Sequence, residues 1–175
     1  MLCLIFIIAV ISSCSDVKQP SDAEVEKAYA SAYEAMIQWF ELDSMPLENY
    51  DVWTDIDGIH YFKVSHPAIK TLQDLKEYLQ TLFTDSIVND LLSRNYYKDI
   101  DGSLYAAAAS GATNPSKGAE THEIIRENSK KIIYRVTVED IDNADNFAVI
   151  GHTVHDMVYE YINGKWVFSS FERVR

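Results

Sequence analysis

Cysteine is almost absent from this chain. Among 175 residues only Cys3 and Cys14 carry a thiol. Everything beyond residue 14 therefore has no disulfide, no thiolate metal ligand and no cysteine nucleophile. Positive charge is also scarce: 15 Lys and Arg stand against 27 Asp and Glu, for a formal net charge of −12. That excludes a nucleic-acid binder, which needs a basic face to neutralise phosphates, and it disfavours electrostatic docking on anionic lipid. Long hydrophobic runs are missing as well. The one apolar stretch at the start, Leu2 to Ile11, is too short to span a bilayer as a helix. No G-x-S-x-G, H-E-x-x-H, phosphate loop or glycine fingerprint occurs. On these grounds no catalytic residue, metal or cofactor is assigned, and the protein is read as something other than an enzyme.

What is present begins with that apolar stretch. It leads into Ile11-Ser12-Ser13-Cys14, an apolar residue, two small residues and a cysteine, which resembles a bacterial lipobox. The resemblance implies that residues 1–13 are a signal peptide, that Cys14 is lipidated and that 14–21 form a short tether. At about 3.3 Å per residue the six residues from Ser15 to Pro20 keep the domain within roughly 20 Å of the membrane. The expected location is the extracytoplasmic face of a bacterial cell membrane, reached through the N-terminal lipid. No Lys or Arg precedes the apolar run, as a signal n-region requires; a translation start upstream of Met1 accounts for that.

With 47% hydrophobic residues, residues 22–175 are expected to form one α+β domain with a sizeable core. Ser21 and Glu24 make a capping box, and Val25, Tyr29, Tyr33, Met36 and Phe40 recur at helical spacing to about Glu41. Thr71 and Asp74 cap a second helix striped by Leu72, Leu75, Leu79 and Leu82, and Thr84-Asp85 opens a third. The second half has a period of two. Ile132, Tyr134, Val136 and Val138 share one strand face, Ser129-Lys130 separates two strands, and Asn163-Gly164 is a strong hairpin signal after a strand from about Phe147. The expected product is a curved antiparallel sheet with the N-terminal helices packed on its apolar face, cystatin-like or NTF2-like in outline.

The tetrapeptide DIDG occurs at Asp55–Gly58 and again at Asp99–Gly102. A calcium loop would need an acidic residue five positions before the glycine and a glutamate six after it. Those positions hold Trp53 and Val64 in one copy, Tyr97 and Ala108 in the other, so both copies are read as turns that exploit positive φ. Of the histidines, His152 and His155 are three apart on a strand and point to opposite faces. The acidic stretch Glu139–Asp145 is read as a solvated loop.

One segment lacks any large apolar side chain: AAAASGATNPSKGAE, residues 106–120. A connection of that length inside a compact domain is often functional. Gly111, Pro115 and Gly118 suit a projecting loop whose backbone bends freely and stays clear of the core.

The stretch YFKVSHPAIKTLQDLKEYLQTLFTDSIVNDLLSRNYYKDIDGSLYAAA resembles the IseA family of DL-endopeptidase inhibitors. The similar features are an aromatic strand, T-L-x-x-L-K-x-Y-L, then F-T opening a helix, then D-G-x-L-Y. The likeness continues through ETHEIIRENSKKIIYRVTVE to INGKWVFSSF, covering about Ile59 to Phe171. Membership implies an extracellular partner, a cell-wall peptidoglycan hydrolase of the NlpC/P60 type, whose substrate groove is blocked by a loop between two strands. That loop corresponds to Ala107–Ala119, with Ser110, Gly111, Ala112, Thr113, Asn114, Pro115, Ser116, Lys117 and Gly118 as the inhibitory residues. The family loop is acidic, whereas this one has no Asp or Glu; complementarity to a positive groove is then expected from Asp99, Asp101 and Glu120 flanking it.

Three readings stay open from the residues: a membrane-tethered inhibitor or regulator of wall endopeptidases; a small-ligand lipoprotein with a cone-shaped NTF2-like pocket lined by Tyr33, Trp53 or Tyr134; and an enzyme on the same cone.

Overall fold

The computed structural model describes residues 17–108 and 111–175. The signal peptide, Cys14, the first part of the tether and Ser110 lie outside the described residues.

The first helix, α1 (Asp22–Tyr33), starts where the capping box predicts. The Glu24 N–H donates to the Ser21 hydroxyl at 3.4 Å, and the Ser21 N–H donates to the Glu24 carboxylate at 2.7 Å. From Glu34 to Leu42 the same helix is wound as a π-helix, closed by a bond from the Asp43 N–H to the Gln38 carbonyl five residues back. The spacing predicts an ordinary α-helix throughout, and the difference has a packing cause. Ala35, Met36, Ile37, Trp39 and Phe40 are all buried, a stripe too wide for one face of a 3.6-residue helix. The wider turn brings the adjacent pairs inward together, at the expense of hydrogen-bond geometry.

Helices α2 (Leu72–Leu82) and α3 (Asp85–Ser93) follow. The Thr71–Asp74 box is formed as expected, whereas Thr84 makes no side-chain cap bond. Among the described residues no helix is long and apolar enough to cross a membrane.

The strands form two open four-stranded antiparallel sheets, neither closed nor strongly curled. This corrects the expectation of a single curved sheet. The first sheet has the order β1-β2-β4-β3, with β1 Trp53–Ile56, β2 Ile59–Lys63, β3 Tyr97–Ile100 and β4 Ser103–Ala107. The second is the meander β5 (Lys117–Asn128), β6 (Lys131–Asp142), β7 (Ala148–Ile162) and β8 (Lys165–Ser170). The two DIDG segments explain the split. Each closes its own hairpin, with positive φ at Asp57 and Gly58 and at Asp101 and Gly102, and the hairpins pair with each other through Phe62 and Ala106. Among the described residues no ladder joins that sheet to β5.

One buried cluster joins the helices to both sheets, including Phe40, Leu75, Phe83, Tyr97, Leu104, Val136, Met157 and Phe168. The expected alternation along β6 holds, with Ile132, Tyr134, Val136 and Val138 all buried. Glu139–Asp145 is a solvated loop only in its last three residues, which form an exposed turn. Its first four residues continue β6 and pair with Ala148–His152, because Asp140 is held by Lys117 from the neighbouring strand.

Candidate functional site

The inhibitory segment read from sequence is a connection from β4 to β5, and its ends are shorter than expected: Ala107 closes β4 and Lys117 opens β5. Gly111 to Ser116 are all exposed, yet the backbone is anchored. The Gly111 N–H donates to the Leu42 carbonyl at 2.8 Å, satisfying an orphan acceptor at the end of the π segment. A Cβ at Gly111 would sit 2.1 Å from the Glu41 carbonyl oxygen, so glycine is needed here for close approach rather than for free bending. Arg173 donates to the Ala112 carbonyl. Asn114 organises a turn by accepting from the Ser116 N–H at 3.0 Å. The Ser116 carbonyl accepts from the Ile141 N–H at 2.9 Å, which ties the segment to the end of β6. Gly118 lies within β5, and a Cβ there would press on Glu139 and Ile141. The expectation that Gly111 and Gly118 bend freely, clear of the rest of the fold, is corrected on both counts.

The flanking acidic set is split by the fold. Asp99 lies on β3, where its carboxylate accepts from the Leu72 N–H at 2.8 Å and so caps α2, and Asp101 is in the β3–β4 turn. Both are at the opposite end of β4 from the segment. Asp99 faces Leu104, three strand steps from Ala107, and Asp101 lies beyond Ser103, at least four steps away. At about 3.3 Å per step they stand some 10–13 Å off, beyond the Debye length of about 8 Å. Glu120 alone stands with the segment.

Beneath Thr113, Asn114 and Pro115 opens a cleft of about 570 Å³, whose walls include Tyr29, Tyr33, Gln38 and Leu42 from the first helix and Glu120, Lys117 and Arg175 opposite. Strand register decides which side chains stand beside Glu120. Glu120 faces Val138, His122 faces Val136, and Val136 faces His155 across the next strand, so these side chains share the helix-facing side of the sheet. The Tyr134 hydroxyl is 2.9 Å from His122 Nδ1. Burial pushes its phenol up to about 12, helped by Glu26 and Glu120. Tyr29 stacks on Tyr134 with centroids 4.2 Å apart, and burial, reinforced by Glu120, raises its phenol well above the ordinary range. Lys117 Nζ is 2.6 Å from Asp140 and 2.8 Å from Thr153, which holds the Asp140 carboxyl below its usual range.

Three polar atoms of the described residues are buried without a hydrogen-bond partner: the Tyr29 hydroxyl, Glu120 Oε1 and His155 Nε2. The first two belong to residues lining this cleft. Sequence reasoning named Tyr33 and Tyr134 as pocket candidates and Glu120 as a flank of the loop. It missed Tyr29 as anything but core, and it missed His122 and Arg175. Trp53 lines a separate, smaller hollow of about 380 Å³ at the edge of the first sheet. Among the described residues no group of three His, Cys, Asp or Glu side chains converges as a metal ion would need. No protein-family profile matches the chain, and no curated protein sequence does either.

Proposed function

We propose that this chain is a lipid-anchored extracytoplasmic protein that inhibits or regulates peptidoglycan DL-endopeptidases of the NlpC/P60 type, with the segment around Gly111–Ser116 entering the enzyme's groove. One geometric observation carries the reading. Residues 18 and 19 are strapped to the far end of the second sheet, where the Trp166 indole donates to the Lys18 carbonyl at 3.3 Å and Gln19 donates to the Asn128 carbonyl. The candidate segment leaves from Lys117, eleven residues away along β5, or about 35 Å at the rise of a strand. With a lipid on Cys14 the exposed segment would face away from the membrane, toward the wall, which supports the reading. Anchoring by Leu42, Arg173 and Ile141 presents it with little conformational entropy left to lose on binding, and the net charge of −12 favours approach to a positive groove.

The test is muropeptide cleavage by an NlpC/P60 enzyme in the presence of the full chain in detergent. Cleavage is expected to fall, and Thr113→Trp, which adds bulk at an exposed position, is expected to restore it without a change in melting temperature. Full cleavage against a large excess of folded protein, across several such enzymes, overturns the reading.

A second reading, a small-ligand-binding lipoprotein, draws on the cleft between helix and sheet with its unpartnered polar atoms. It predicts saturable ligand binding at Tyr29 and Glu120 that leaves endopeptidases unaffected.

A further inference from the structure

Native folds satisfy nearly all of their buried polar groups, so an exception that lines a cavity asks for an explanation. Tyr29 is only 7% exposed and its hydroxyl has no partner. The Glu120 side chain is 15% exposed, and its Oε1 lies 2.9 Å from Arg175 Nε in an alignment that makes an ion pair but no hydrogen bond. On the other side of the carboxylate, His122 Nε2 is 3.6 Å from Oε2, too far for a bond. An ionised carboxylate only accepts, and a phenol oxygen accepts as readily as its proton donates. Both groups face the same cleft, and what they lack in common is a donor.

The chain's own cations leave both groups without a hydrogen bond. Lys117 is engaged by Asp140 and Thr153, and Arg175 is half-exposed and misaligned. The surroundings narrow the ligand further. Tyr29 and Tyr33 line the cleft, and tyrosine rings attract a cation. Ala30, Leu42 and Pro115 add apolar wall suited to methylene groups. An anion would meet only cations already paired with carboxylates. A neutral hydroxyl has one proton to share between two acceptors, whereas an ammonium has three.

We propose that the cleft is a binding site for a primary ammonium on a short aliphatic stem, with the ammonium seated between Glu120 and the Tyr29 hydroxyl and the stem lying along Ala30, Leu42 and Pro115. Arg175 is the occupant of that seat when no ligand is bound. The proposal rests on the ligand-binding reading above and names the chemistry of its ligand.

The experiment titrates the isotopically labelled full chain in detergent with butylamine, with 1-butanol as the neutral counterpart and acetate as the anionic one, and follows amide and side-chain resonances by NMR. Butylamine is expected to give saturable shifts at Tyr29, Tyr33 and Glu120 that butanol and acetate do not. Glu120→Gln is expected to weaken binding about tenfold or more, the loss of one charge-assisted bond. Arg175→Ala, which empties the seat without touching the sheet, is expected to tighten it. Should Glu120→Gln fail to fold by its melting curve, the Arg175→Ala arm carries the test alone. Equal shifts from butanol or acetate, or unchanged or weaker amine binding in Arg175→Ala, overturn the ammonium assignment and leave the ligand-binding reading standing. No response at the cleft to any of the three probes overturns both.

Discussion

At one end of the second sheet the strands are joined by two-residue turns, Ser129-Lys130 and Asn163-Gly164, and the N-terminal residues are laced across them. The Tyr161 N–H donates to the Lys130 carbonyl at 2.9 Å, and Arg126 pairs with Asp22. At the other end the same strands meet the segment 111–116 and a β6–β7 connection where Asn146 and Phe147 both have positive φ. There Phe147 is 68% exposed and Ile150 69%, and the cleft keeps two buried polar atoms unsatisfied. One end has local chemistry that agrees with its conformation, and the other tolerates strain, exposed apolar surface and orphaned groups. Such concentrations of local conflict are where binding sites are found. The difference locates function without reference to any motif.

The sharpest test of the comparison is in the packed half. Phe168 is fully buried against Tyr159, Phe83 and Phe171, and Phe168→Ala is expected to cost about 3–5 kcal/mol in chemical denaturation. A smaller loss would mean that the packed end is looser than its geometry. Next comes Gly111→Ala, where the new Cβ meets backbone that cannot move aside. The segment is expected to lift off Leu42 at a cost of about 1–3 kcal/mol, with hydrogen exchange at residue 111 accelerated far more than in β6. Gly164→Ala, at φ +87°, is expected to cost about 1–2 kcal/mol, the penalty of a left-handed alanine, and to leave the cleft unchanged by NMR.

The pair at the open end gives a pH signature. Lys117 and Thr153 depress the Asp140 carboxyl in the folded chain, so the associated stability is present above the unfolded value of about 3.9 and is lost as pH falls through the lower folded value. Lys117→Met is therefore expected to be less stable than wild type at pH 6, with the gap closing in acid. The smallest effect is the most discriminating. Tyr29→Phe removes a hydroxyl with no partner and is expected to change stability by less than about 0.5 kcal/mol, or to raise it. The same change at Tyr97, whose hydroxyl donates to the Trp39 carbonyl at 2.8 Å and accepts from the Met45 N–H at 3.0 Å, is expected to cost about 1–3 kcal/mol. Equal losses at the two tyrosines would remove the contrast between a satisfied interior and an unsatisfied cleft.

Local chemistry was legible wherever the signal was short-range. Ser21 with Glu24, Thr71 with Asp74, both Asp-Gly turns, Asn163-Gly164 and the alternation along β6 depend on contacts within a few residues, and the fold has each of them in place. The amino-acid order therefore determines the helices, the hairpins and the α+β class, because caps, turns and periodicity are settled by neighbours along the chain. It does not determine that β2 pairs with β4 and divides the strands into two sheets, nor that the first helix widens to a π turn under a broad apolar stripe. Asp99 and Glu120, read together as one acidic flank, are parted by the length of β4. Glu120, Tyr29 and Arg175, far apart in sequence, are drawn into one cleft. Those outcomes depend on strand register and on which surfaces the core must bury, long-range terms that no window of sequence contains.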